Sequence, residues 1–287
     1  MSRVPSRVTT AFGVHVRGTP LWIDAATKRP LCVVTSLIDR LPPAHVRLLA
    51  TVELARLLAA AGHKSKVLPT PRDRWVGVGG ERLQLVEAGP HGLAAGAQVT
   101  LADEIVLVTG PLRAAAVDWP RADHIVAHLP ALQHRGEELD ATADVIAKAA
   151  ARDRCSVRVE SLEVAEALIS ALHGRGVVCS GRGLVRHLEA PQRTPGRVSV
   201  GLGRLAHAGV GRSIDVDSGL RRLRGSAVQR VALRWYADRK AVEDLAQATG
   251  VRRLTLVGSR DPRLNLPGEV TWRSEPQQLV LEAAAEG

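Results

Sequence analysis

The side chains able to do chemistry in this sequence are scattered rather than massed. His124 and His128 flank the apolar run Ile125-Val126-Ala127. If that run is a strand, alternation puts both imidazoles on one face, where a metal ion could be held. No third ligand lies near them in sequence, so a solvated or singly hydrogen-bonded pair is the simpler reading. Asp215 and Asp217 would also share a face of an extended segment, and paired carboxylates bind metals. The stretch Asp215–Gly219, however, equally suits a loop closed by Asx turns. Gly201-Leu202-Gly203 follows Val198–Val200 like a phosphate-binding turn but lacks the third glycine of that fingerprint. Ser180 and Ser218 each adjoin a glycine outside any G-x-S-x-G setting, so nucleophilic hydrolysis has no motif behind it. Cys32, Cys155 and Cys179 are far apart without C-x-x-C pairing, and buried apolar roles are expected for them.

The arginines are more suggestive. Arg221, Arg222, Arg224 and Arg230 are followed by Arg252, Arg253, Arg260 and Arg263. Guanidinium groups match phosphate by bidentate bonding, and Trp235 and Tyr236 beside them could stack on a base. A solvated basic face is the plain alternative. The whole chain of 287 residues carries a formal net charge of +10, with a pI near 10.6. Such an excess favours polyanionic partners through steering and counterion release, although it also serves solubility alone. Hydrophobic residues make up 45% and aromatics only 2%, so the core must be built from Val, Leu, Ile and Ala. Even the apolar run Ile105–Gly110 soon meets Pro111 and Arg113, which excludes a bilayer-spanning helix there. Arg3 and Arg7 have no apolar stretch behind them, so no secretory signal is expected and the location is read as cytoplasmic, with no membrane partner.

Phe12–Arg17, Leu21–Asp24 and Leu31–Ser36 have strand composition. Apolar spacing from about Ala44 to Ala61, opened by Pro42-Pro43 and closed by Gly62, predicts a helix. Strands are predicted at Lys66–Leu68, Trp75–Gly77, Leu83–Glu87, Ala97–Leu101, Ile105–Thr109 and His124–His128. The texture then changes. Helices are predicted at Thr142–Ala151 and Leu162–His173, with short strands at Val177-Val178 and Arg197–Val200. Residues 136–204 therefore look like a small α/β insert. The tail predicts a strand at Ala227–Trp235, a helix at Arg239–Thr249 and a strand at Arg253–Val257.

Five segments, in order, resemble the metallo-β-lactamase-fold nucleases, in particular the DNA ligase-associated exonucleases related to the β-CASP enzymes of messenger RNA 3′-end processing. They are Leu21–Thr35 (LWIDAATKRPLCVVT), Leu49–Leu58 (LATVELARLL), Gly96–Gly110 (GAQVTLADEIVLVTG), Ser218–Gly225 with Arg234–Val242 (SGLRRLRG, RWYADRKAV), and Ala248–Gly258 (ATGVRRLTLVG). The resemblance implies an α/β fold, an αββα sandwich formed by residues 1–135 and 205–287. Residues 136–204 would be a reduced β-CASP-like insert.

In active members two divalent metals held by His and carboxylates generate a hydroxide and stabilise in-line attack at phosphorus. The resemblance lets each ligand position be read here. For H-x-H-x-D-H this chain offers Ser36, Ile38, Arg40 and Leu41, and a one-residue slip restores Asp39 but no histidine. His91 is the candidate for the next histidine, displaced by about one position. Pro111 stands for the bridging Asp, Tyr236 for the His of S-x-H-A-D (Asp238 is retained), and Gly258 for the last His. Arg40 would set a fixed positive charge where a cation should sit. The expectation is a degenerate site with no metal and no cofactor, in which Trp235 and Tyr236 equally well plug the emptied cavity.

The function expected from this is a catalytically inactive subunit that binds DNA or RNA, or pairs with an active paralogue or other repair or processing proteins. Its nucleic-acid contacts would be Arg221, Arg222, Arg224, Arg230, Arg252, Arg253, Arg260 and Trp235, on segments bordering the former active-site cleft. A purely protein-interacting component is a second reading. A hydrolase with a relocated site drawn from His91, Asp238, His124 or Asp215 is a third, with few converging polar groups to support it.

Overall fold

A computed structural model of the chain describes residues 8–10, 13–37, 41–88, 93–111, 118–129, 139–152, 155–159, 162–188, 197–202, 239–249, 251–258 and 269–273. In chain order the first strands are β1 (Val8–Thr9), β2 (Val14–Val16), β3 (Leu21–Ile23), β4 (Leu31–Val33) and β5 (Arg47–Ala50), then helix α1 (Val52–Ala60) and β6 (Lys66–Pro69). There follow β7 (Trp75–Val78), β8 (Glu81–Glu87), β9 (Ala95–Thr100), β10 (Ile105–Pro111) and β11 (His124–Leu129). Next come α2 (Leu139–Ala150), β12 (Cys155–Val159), α3 (Leu162–His173), β13 (Cys179–Arg182), a 3₁₀ turn at Gly183–His187 and β14 (Val198–Leu202). The last are α4 (Arg239–Thr249), β15 (Arg253–Gly258) and β16 (Glu269–Arg273).

These strands form three mixed or parallel sheets. The first runs β1-β2-β3-β4-β5-β6, antiparallel up to β3 and parallel from β3 onward. The second runs β16-β15-β11-β10-β9-β8-β7, an antiparallel meander from β7 to β10 continued by parallel β11, β15 and β16. The chain is thus a mixed α/β protein. Val16, Leu21, Ile23, Val33 and Leu49 of the first sheet share one apolar cluster with Leu83, Leu85, Ala97, Val99, Val106 and Val126 of the second, so the sheets pack face to face. Leu54 and Leu58 of α1 cover Cys32 and Leu48 on the outer face of the first sheet. Val242, Leu245 and Ala246 of α4 cover Leu107, Ile125, Leu254 and Leu256 on the outer face of the second. Buried on both sides, the central parallel strands read as nearly continuous apolar runs, as such strands must.

One expected element is recast. The predicted helix from about Ala44 to Ala61 is two elements, β5 and then α1. Leu48 and Leu49 lie on opposite faces, one under α1 and one between the sheets, which only an extended segment allows. The helix starts at Thr51, whose Oγ1 accepts from the Leu54 N–H at 3.2 Å, a side-chain N-cap. The Pro42-Pro43 pair lies ahead of the strand instead. Strand β13 begins at Cys179, two residues after the predicted Val177 start, and β1, β12 and β16 have no counterpart among the predicted strands. The predicted strand Ala227–Trp235 lies outside the described residues. Cys32 and Cys179 are free and fully buried, as expected, and burial pushes their thiols up to about 12 and about 11.

Gly96 in β9 shows how tightly the outer layer packs. A Cβ there would meet Trp119 Cζ3 at 2.7 Å and Val86 Cγ2 at 2.9 Å, so the glycine makes room for a buried indole. Gly96→Ala should destabilise the protein by about 1–3 kcal/mol. In urea unfolding, the loss from Gly96→Ala combined with Trp119→Leu should fall short of the sum of the two single losses by about 1 kcal/mol. Strict additivity would mean that the indole does not press on this glycine.

Candidate functional site

Ligands in open α/β sheets bind beyond the carboxyl ends of parallel strands, and here such ends from both sheets meet. Asp24 follows β3 with φ +50°, a left-handed conformation that Asp tolerates better than most residues. Its N–H donates to Val33 O at 2.8 Å. Thr35, just past β4, donates its N–H to Asp24 Oδ1 at 2.8 Å and its hydroxyl to Asp24 Oδ2. Thr35 O in turn accepts from Ala95 N–H at 2.8 Å, which ties the first sheet to the start of β9 in the second. Gly110 of β10, at φ +65°, comes so close that a Cβ there would lie 2.9 Å from Thr35 Cβ. His128 at the end of β11 is half-buried and acts electrostatically on Asp24. In register, Pro111 adjoins His128, and Leu129 adjoins Gly258 at the end of β15.

Asp24 is exposed as a residue, while at its carboxyl loss of hydration leads in raising the pKa, opposed by both Thr35 hydrogen bonds and by His128. Chemically this is a fastening. Both carboxylate oxygens are engaged by Thr35, and one carboxylate with one imidazole falls short of the three or four ligands zinc takes. No group of three or more His, Cys, Asp or Glu side chains suited to a metal occurs among the described residues.

Of the expected ligand positions, Ser36 is buried at the end of β4, with Leu37 beside it sunk into the α1 core, and Leu41 is exposed. The backbones of Pro111 and Gly258 reach the same region through the registers above. Ile38, Asp39, Arg40, His91, Tyr236 and Asp238 lie outside the described residues, as do Arg221, Arg222, Arg224, Arg230, Trp235, Arg260, Arg263, Asp215, Asp217 and Ser218. Asp24 and Thr35 are not among the ligand positions that the resemblance implies, which begin at Ser36. The signal was an Asp closing Leu-Trp-Ile inside the segment that carries the resemblance.

The two histidines of β11 share a face with Val126, toward the inter-sheet core. At about 3.3 Å per residue they stand about 13 Å apart along the strand, too far to share one ion. His124 belongs to the opposite end of the sheet. Its Nε2 and Thr255 Oγ1 are hydrogen-bonded at 2.9 Å, and buried Glu104 pairs with Arg253 while lying 3.6 Å from His124 Nδ1. The order Thr–His–Glu is that of a nucleophile, base and orienting acid, but 3.6 Å is too long for the second bond. Arg253 claims the carboxylate, and His124, Glu104 and Thr255 are all buried. Arg252 and Arg253, expected beside the cleft, start β15 and lie five to six residues from Gly258, at the far end of the strand. A parallel strand carries its first and last residues to opposite ends of the sheet, so neither arginine lies at the Gly258 end. Ser180 Oγ donates to Val198 O at 3.4 Å rather than to a base.

Buried His45, at 2% exposure, accepts the Arg29 N–H at Nδ1 over 3.1 Å, and its Nε2 has no hydrogen-bond partner. Burial leads in lowering the pKa of both His45 and His124 to about 4. His63 and Arg29 add to the effect at His45, and Arg253 adds at His124. Glu104 alone would favour a protonated His124, but its charge is engaged by Arg253, so the downward direction stands.

Compared with known proteins, the sequence matches no family model and no curated protein. The structure matches 83 solved chains. One is the crystal structure of a protein of unknown function from Enterococcus faecalis V583, at a TM-score of 0.53 and 8% sequence identity, covering 84% of this chain and 78% of that one. The likeness is one of fold. No helix among the described residues is long and apolar enough to cross a membrane.

Two outcomes are expected. Thr35→Val, which leaves a carboxylate oxygen without its hydroxyl donor, should cost about 1–3 kcal/mol in urea unfolding. Gly110→Ala should cost at least as much, since it adds backbone strain to a collision with Thr35. Losses under about 0.5 kcal/mol in both would show that the clasp does not hold the sheets together. Secondly, the folded pKa values of His45 and His124 lie below the unfolded value of 6.5. Their contribution is therefore complete above pH 6.5 and lost as pH falls through about 4. Each is worth on the order of 3 kcal/mol, so unfolding free energy should drop steeply across that window and less steeply in His124→Gln. A flat profile would contradict neutral buried rings.

Proposed function

We propose that this chain is a non-hydrolytic nucleic-acid-binding subunit of a repair or processing assembly, built on the layout of a metallo-β-lactamase-fold nuclease with residues 136–204 as a β-CASP-like insert. The observation that carries the reading is what stands at the converging strand ends. Asp24 is clasped by Thr35 there, beside a glycine, a proline position and a buried serine, where a two-metal hydrolase needs open ligands. The layering of α1, two facing sheets and α4 supports the fold half of the reading. The net charge of +10 supports a polyanionic partner. Arg252 remains an exposed candidate contact. Arg253, paired with Glu104, is a poor one.

The test is a fluorescence-anisotropy titration of the full chain with single- and double-stranded oligonucleotides at 50 and 200 mM salt, paired with zinc and manganese analysis of the purified protein. Binding should weaken about tenfold or more over that salt range, with metal at background. Absent or salt-insensitive binding would remove the nucleic-acid half of the proposal. Near-stoichiometric metal together with phosphodiester cleavage would remove the non-hydrolytic half.

A further inference from the structure

Strand β7 forms one edge of the second sheet, and the β7–β8 hairpin there has two unlike faces. Val76, Val78, Leu83 and Leu85 turn into the seam between the sheets. Alternation therefore sends Trp75, Gly77, Arg82 and Gln84 to the outer face. Farther along that face Trp119 lies against Gly96 and Val86, and α4 covers the strands beyond. At the edge, Trp75 stays 45% exposed, whereas Trp119 is buried and Trp22 is half-buried. In a chain with so few aromatics, an indole left in water forgoes the large apolar burial that this residue ordinarily supplies.

The surroundings of Trp75 are polar and positive. Register sets Gln84 opposite Trp75 and Arg82 opposite Gly77. Arg82 is thus the diagonal neighbour of Trp75 on one face, about 7–8 Å away and within reach of long side chains. Gly77 is exposed, and a Cβ there would meet nothing within 4 Å. No packing demands that glycine, and its bareness leaves open space beside the indole. Arg74 and Arg82 are exposed. Neither makes an ion pair among the described residues, while nearby Arg72 is the one that faces Glu87, at 3.9 Å. An apolar protein partner would gain one large side chain here and would have to strip water from two unpaired cations. A flat base on a phosphodiester chain suits all three groups, since it stacks on the indole while phosphates meet the guanidinium groups. Bases in a duplex are already stacked on both faces, so the matching form is single-stranded.

We infer that the outer face of the β7–β8 edge binds single-stranded nucleic acid, stacking an unpaired base on Trp75 while Arg82 and Arg74 meet the flanking phosphates. The site reads bases and phosphates and not the sugar. This rests on the nucleic-acid reading above and names where that binding occurs. The probes are labelled oligothymidylate, labelled oligouridylate and a duplex of the same length, titrated against the full chain by anisotropy at several salt concentrations. The two single strands should bind alike and more tightly than the duplex. Unlabelled oligothymidylate should quench the intrinsic tryptophan emission, and Trp75→Phe should remove most of that quenching while keeping most of the affinity. Trp75→Ala should weaken binding about tenfold or more. Arg82→Gln should reduce the slope of log affinity against log salt by about 0.7. Arg56→Ala, an exposed site on α1, should change nothing, and circular dichroism should show every variant folded. Single-strand binding that survives Trp75→Ala overturns this inference while leaving the proposed function standing, as does a duplex bound as tightly as the single strands or a strong preference for one sugar. No binding of any probe by the unaltered chain overturns both.

Discussion

The burial of one sheet face against another is the interaction on which every other feature depends. With a single Phe, a single Tyr and five Trp in 287 residues, that seam is filled by Val, Leu, Ile and Ala, which carry no polar group to orient them. Aliphatic packing drives the layers together, at about 25 cal/mol for each Å² of apolar surface removed from water, but it fixes their relative slide only loosely. The slide is set at the edges, where polar groups must be paired or suffer desolvation.

Two edges do this in different ways. At the carboxyl ends, Asp24, Thr35 and Ala95 form a chain of hydrogen bonds from β3 through β4 into β9, with Gly110 allowing the close approach. At the opposite edge two separate pairs, Glu104 with Arg253 and His124 with Thr255, tie the loop before β10 and the start of β11 to β15. Such groups are stabilising when complete and costly when one partner is removed. The carboxyl-end rim is where ligands of open α/β sheets gather, and here the Asp24 carboxylate at that rim is taken up by Thr35.

Much of this was legible in advance. Strand texture located most strands to within a few residues, and the helices α2, α3 and α4 follow directly from apolar periodicity. The helix expected from about Ala44 to Ala61 was misread because Leu48 and Leu49 fit a helical stripe as well as they fit a strand buried on both faces. Periodicity does not separate the two over so short a run. The shared face of His124 and His128 was foreseen, since alternation is a local rule. Their assignment to opposite ends of the sheet was equally deducible from their spacing. The role of Arg253 was not, because Glu104 lies 149 residues away. The five ordered segments that resemble a nuclease family carry the expectation of lost metal ligands, and Asp24 lies within the first of them, outside the expected ligand positions.

By itself the sequence determined the apolar alternation that makes the strands, the excess of positive charge, and the absence of a compact metal motif, since each is a property of neighbours along the chain. Only the tertiary structure decided which polar side chains would meet. The Asp24–Thr35 clasp and the capture of Arg253 by Glu104 depend on strand order and register. Register is chosen by which faces can be buried together, a competition among distant segments that no local pattern records.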